Sequence, residues 1–134
     1  MTATVLYQGG LRTQCTHIES GAEIYTDAPK DNQGNGEAFS PTDLVATALG
    51  SCMLSIMGIK ARQMEISIEG AVVSITKIMA ADPRRIKEVK AEITMPANNF
   101  SDKDRVVLER AALTCPVALS LHPDISQTIS WNWL

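Results

Sequence analysis

Aromatic side chains are scarce in this chain: two Trp, two Tyr and two Phe among 134 residues. Aliphatic and Met side chains must therefore fill most of its core. A surplus of one charge is lacking too. Twelve Lys and Arg stand against fifteen Asp and Glu, a formal net charge of −3 at pH 7, with no long run of either sign. Nucleic acid is therefore not an expected partner, because phosphate needs a basic face. The first residues, MTATVLYQGG, lack the basic segment and apolar run of a signal peptide. No segment reads as the roughly 18 apolar residues that suggest a membrane span. No membrane is expected as a partner, and the expected location is the cytoplasm. Only Cys15, Cys52 and Cys115 carry thiols, with no CxxC pair and two His far apart in sequence. No metal site is expected from that set, nor a secreted disulfide framework. GxGxxG and GxxxxGK[ST] loops are missing, so no nucleotide cofactor is expected. In a reducing compartment such thiols are core filler or chemistry.

What is present fits one domain, 1–134, with 45% apolar residues. Thr4 to Tyr7 and Leu11 to Ile18 are extended runs around Gly9-Gly10, a hairpin signal. Ser20-Gly21 makes a turn, and Ala22 to Thr26 a third strand. Asp27 to Phe39, rich in Pro, Asn, Asp and Gly, is a loop. Ser40 then opens a helix. Its hydroxyl can accept a free backbone N–H, Pro41 has none to offer, and Asp43 can reach back to the cap and suits the positive helix end. The pattern runs to about Gln63. Its apolar residues cover more than one stripe, so a second helix or a second subunit should cover them. Alternation returns from Glu65 to Met79 and from Ile86 to Met95. Ser101 to Asp104 caps a second helix, which should break at Pro116. A short helical turn precedes His122-Pro123, and Gln127 to Leu134 is a last strand. The order β-β-β-α-β-β-α-β defines an α+β fold.

Three residues stand out. Cys52, near the middle of the apolar helix, is either a core residue or a working thiol. It lies too far in for the helix dipole to act on it, so a thiolate there needs a nearby cation. Cys115 sits at the Pro116 break. Free N–H groups of a new helical turn can favour a thiolate there, or Cys115 is core. Arg12 is either a solvent-facing strand residue or such a cation. Cys15, His17 and His122 carry no recognisable role. Neither His lies in a motif that would serve a Cys hydrolase.

Gly9-Gly10-Leu11-Arg12, Ser40-Pro41-Thr42-Asp43-Leu44 running into Ala48-Leu49-Gly50-Ser51-Cys52, and Cys115-Pro116-Val117 together resemble the OsmC/Ohr family of thiol peroxidases, its OsmC-like branch most closely. The two cysteines stand 63 residues apart, a suitable spacing. The resemblance covers nearly the whole chain. It implies an OsmC-like fold: an N-terminal three-stranded antiparallel unit, two central helices and a second β-sheet, paired as an intertwined homodimer. It also implies a peroxidase that reduces organic hydroperoxides without a cofactor. Cys52 would attack the peroxide, Cys115 would resolve the sulfenic acid as a disulfide, and an external dithiol would restore both thiols. Arg12, from the partner chain, would hold Cys52 as thiolate. The alternative is a non-enzymatic redox-sensing or ligand-binding dimer of the same fold. One departure stands out: family peroxidases carry a Glu ten residues before the first Cys to hold the Arg, and Thr42 occupies that position. Asp43, nine residues before Cys52, falls on roughly the opposite side of a regular helix and reads as a capping carboxylate. Glu37, in the preceding loop, is the other candidate to orient Arg12.

Overall fold

A computed structural model describes residues 1–134. The chain folds as two compact units, Met1–Val45 and Ala46–Leu134. It is α+β, with two three-stranded sheets.

In the first unit, β1 (Ala3–Gly9), β2 (Arg12–His17) and β3 (Glu23–Asp27) form an antiparallel sheet in chain order. Gly10 and Leu11 make the two-residue turn between β1 and β2, with φ of 60° and 61°. Positive φ at both central positions matches the right-handed twist of a hairpin. Glycine adopts it freely, whereas Leu11 does so at a cost of order 1 kcal/mol. The second hairpin sets Arg12 opposite Asp27 and Thr13 opposite Thr26, whose hydroxyls hydrogen-bond. Val5, Leu6, Tyr7, Ile24 and Tyr25 are exposed, so apolar side chains on both faces of this sheet remain uncovered within the chain. The following loop holds a 3-10 turn, Lys30–Asn32, and returns to the sheet where Asp27 N–H donates to the Phe39 carbonyl at 3.1 Å.

Helix α1 spans Pro41–Gln63 and starts in this unit. Its capping box is the expected one. Ser40 Oγ accepts the Asp43 N–H at 3.1 Å, and the Asp43 carboxylate accepts the Ser40 N–H at 2.9 Å. The same device opens α2 (Asp102–Leu113), through Ser101 and Asp104.

In the second unit, β4 (Val72–Ala80), β5 (Arg85–Met95) and β6 (Ser126–Trp133) form a sheet in that order. β4 and β5 are antiparallel, β5 and β6 parallel. A parallel pair needs a long crossover, and α2 with α3 (Pro116–Ser120) supplies it. The strand expected from Glu65 begins only at Val72. Residues 64–66 instead close α1. Ile66 N–H reaches the Ala61 carbonyl, Glu65 N–H reaches that of Arg62, and Glu65 takes φ 57°. This is a Schellman turn with a non-glycine residue in the left-handed position. Ile66 and Ile68 still pack on the core, which is why their spacing mimics a strand.

The core joins Leu49, Met53 and Met57 of α1, Val89, Ile93 and Met95 of β5, Leu108 and Ala112 of α2, and Cys115. Aliphatic and Met side chains do fill it. By length and composition α1 is apolar enough to cross a membrane, with a mean hydropathy of 1.6 over an 18-residue window. That corrects the reading that no segment reaches this level. Leu, Ile and Val give the window most of its score, and a core helix packed by aliphatic side chains has the same composition. α1 approaches β4 closely at Gly50, where an added Cβ would stand 3.1 Å from Ile75 Cδ1 and 3.3 Å from Val73 Cγ1. Gly50→Val should therefore overpack this contact and destabilise the fold by roughly 1–3 kcal/mol, read as a lowered urea midpoint.

Candidate active site

Two constellations emerge, one in each unit. In the second unit, the break between α2 and α3 is built around Cys115. Thr114 ends α2, and Cys115 is the N-cap of α3. Pro116, at the first helical position, needs no acceptor for a missing N–H. Cys115 Sγ accepts the Ala118 N–H at 3.3 Å. Cys115 is fully buried, whereas Cys52 on α1 is half-buried. The two free thiols are neighbours: Cys52 packs against the core cluster that holds Cys115 and is close enough to raise its thiol. Burial pushes the Cys115 thiol up; the N–H groups of Ala118 and Val117 pull it down, and Cys52 raises it further. Of the two readings of Cys115, core residue or thiolate at a new helical turn, its burial fits the core: the N–H donors are present, and desolvation outweighs them. Two adjacent free thiols, one reachable from solvent and one shielded, are a pair that oxidation can join.

A cleft of about 490 Å³ lies between α1 and α2. Ile56, Ile59, Val107 and Ala111 supply its apolar wall, with Lys60 and Arg110 beside them. Ile56 is one helical turn beyond Cys52, and Thr114, which also lines the cleft, directly precedes Cys115. Met53 and Met57 are buried in the core.

In the first unit, Arg12 at the start of β2 meets two carboxylates. Its Nε donates to Asp27 Oδ1 at 2.7 Å and its Nη2 to Asp27 Oδ2 at 2.8 Å, a bidentate pair. Nη2 also reaches Glu37 Oε2 at 3.4 Å. Asp27 is 2% exposed, Arg12 38% and Glu37 69%. Asp27 Oδ2 accepts the Glu37 N–H at 3.1 Å as well. The hydrogen bond from Arg12, followed by its charge and by the Glu37 and Ala38 N–H groups, holds the Asp27 carboxyl below its usual range, with burial opposing. Asp27 in turn raises the Arg12 guanidinium.

Glu37 thus stands on Arg12 as the weaker partner, while Asp43 closes the α1 cap. Asp27 is the partner that reading along the chain missed. The signal was there in the hairpin, since a turn centred on Glu19-Ser20 puts residue 27 directly opposite residue 12. Cys15 lies in β2, between Val5 of β1 and Ile24 of β3 in register. His17 and His122 are exposed and hydrogen-bond locally, to Ser20 and to the Asp124 N–H.

An α+β chain with paired free thiols and a carboxylate-held arginine is the class that fold and site define. The OsmC-like protein family model matches residues 34–130, and the chain belongs to that family. No curated protein matches it in sequence. Among solved structures, it is 57% identical to a Psychrobacter arcticus 273-4 protein provisionally described as an osmotic stress induced and detoxification response protein. The TM-score is 0.95, and the match covers 98% of this chain and 96% of that one. An OsmC-like protein from Mycoplasma pneumoniae shares the fold at 14% identity and a TM-score of 0.81, over 98% of this chain and 95% of that one. So does an organic hydroperoxide resistance protein OsmC from Legionella pneumophila, at 18% identity and 0.76, over 98% and 97%.

A carboxyl held low in the folded state stabilises fully above its unfolded value, and the contribution is lost as pH falls through the folded one. Asp27→Asn should therefore lower stability at pH 7 and flatten the loss that the wild type shows as pH drops below about 4. Thermal melts across pH 2–7 read both effects.

Proposed function

We propose that the chain is a thiol peroxidase that reduces organic hydroperoxides through Cys52 and Cys115. The observation that carries this reading is the apposition of a half-buried thiol with a fully buried one. Exposure assigns the roles. Cys52, which solvent reaches, attacks the distal peroxide oxygen as thiolate. The O–O bond breaks, Cys52 becomes a sulfenic acid, and the leaving alkoxide takes a proton to depart as alcohol. Cys115, kept protonated by burial until then, attacks the Cys52 sulfur, loses its proton and expels water as the disulfide forms. An external dithiol then reduces the disulfide by two exchange steps. The apolar cleft beside the two cysteines supports an organic rather than inorganic hydroperoxide, and so does membership of a family with a hydroperoxide-resistance neighbour.

Arg12 acts on Cys52 from a partner chain in this reading, stabilising the thiolate by charge and hydrogen bonding. A homodimer also accounts for the apolar side chains left exposed on the first sheet and on α1 at Val45 and Ile59. The reaction belongs in the cytoplasm, where dithiol reductants keep the cycle open.

Cys52→Ser should abolish consumption of cumene hydroperoxide. Cys115→Ser should consume one equivalent per chain and stop, with a sulfenic acid on Cys52 that dimedone traps. Continued turnover in either variant would contradict the assignment of roles.

A further inference from the structure

Arg12 carries one positive charge and faces two negative ones. Taken as a point charge, this cluster is net negative and would repel a thiolate rather than stabilise it. The two carboxylates are not equivalent, however. Asp27 is buried, grips the Nε and Nη2 edge of the guanidinium with both oxygens, and is itself fixed by the Glu37 N–H. A planar fork held along one edge has its plane set, and the other terminal nitrogen, Nη1, is the donor these bonds leave over. Glu37 adds a single longer contact from an exposed side chain, to a nitrogen that Asp27 already occupies. It contributes charge and almost no geometry.

We infer that Asp27 is the positioning residue that aims Arg12, and that Glu37 is an attenuating carboxylate whose charge holds Arg12 below its full effect on the Cys52 thiolate. The inference rests on the proposed action of Arg12 on Cys52. It gives two isosteric substitutions, each removing one negative charge beside the same arginine, opposite outcomes. Glu37→Gln keeps an acceptor on Nη2 and unmasks the cation, so Cys52 ionises more readily. Asp27→Asn also removes a negative charge, but it replaces one of the two acceptors with a donor that faces a guanidinium N–H. The fork is then released, and Cys52 ionises less readily although the local charge has become more positive. The charged groups on Arg12 are Asp27 and Glu37, and the titratable group on Cys52 is Cys115.

The test is the pH profile of iodoacetamide alkylation of Cys52 in the folded full-length chain, resolved by site with mass spectrometry. For Glu37→Gln the expected result is a lower midpoint and a rate at pH 7 roughly threefold higher, the order of effect of one unit charge removed from beside Arg12 in a water-like medium. For Asp27→Asn the midpoint should rise and the rate fall by at least as much. The Glu37→Gln effect should vanish when combined with Arg12→Ala. If Arg12→Ala shifts the Cys52 profile but Glu37→Gln does not, or slows the reaction, the inference is overturned and the proposed function stands. If both carboxylate variants lower the midpoint, Asp27 acts through charge alone and its positioning role is overturned. If Arg12→Ala leaves the profile of the wild type, the link between Arg12 and Cys52 fails, and the inference with it. Circular dichroism checks the Asp27→Asn fold; should that variant unfold, Glu37→Gln and its dependence on Arg12 still decide the attenuating role.

Discussion

The chemistry of the second unit depends on how the Cys115 sulfur is buried at the junction of α2 and α3. Pro116 ends one helix and starts another without an orphan N–H, and the sulfur itself caps the new turn by accepting from Ala118. The cap holds the sulfur against the first turn of α3, and the surrounding core side chains bury it. Its neighbour Cys52 is delivered by α1, which lies close on the sheet because Gly50 leaves room for Ile75 and Val73. Desolvation then separates two chemically identical thiols, one shielded and raised, the other open to solvent. In the proposed cycle that asymmetry decides which sulfur meets the peroxide first.

The arginine constellation follows a different logic. Strand pairing places Arg12 opposite Asp27, and the two-residue turn at Gly10-Leu11 sets where β2 begins. The loop after β3 returns so that Glu37 donates its backbone N–H to Asp27 while its side chain reaches Arg12. One buried carboxylate thereby organises both the arginine and the loop. With Asp27 buried and gripping the fork with both oxygens, this pair contributes to stability and also sets the orientation of the guanidinium.

Much of this was legible in the sequence because the cues were local. Ser40-Pro41-Thr42-Asp43 and Ser101-Asp102-Lys103-Asp104 encode capping boxes in four residues, Gly9-Gly10 encodes a hairpin, and Pro116 encodes a break. The features that were missed are non-local. Asp27 looked like a loop residue until strand register set it against Arg12. Ile66 and Ile68 alternate as a strand would, yet the Schellman turn at Glu65 spends them on the core. The direction of the Cys115 shift required knowing how deeply the sulfur is buried, which no motif states. The parallel pairing of β5 with β6 likewise follows from the path of the crossover rather than from the strands themselves.

In the proposed cycle Cys52 is the thiol that meets the peroxide. Stopped-flow measurement of the second-order rate constant of Cys52 with cumene hydroperoxide, beside that of an unstructured cysteine peptide at the same pH, tests it most directly. A peroxidatic Cys52 should react orders of magnitude faster in the folded protein than the cysteine of the peptide. Near-equal rates would contradict it and favour a redox-sensing or ligand-binding dimer instead.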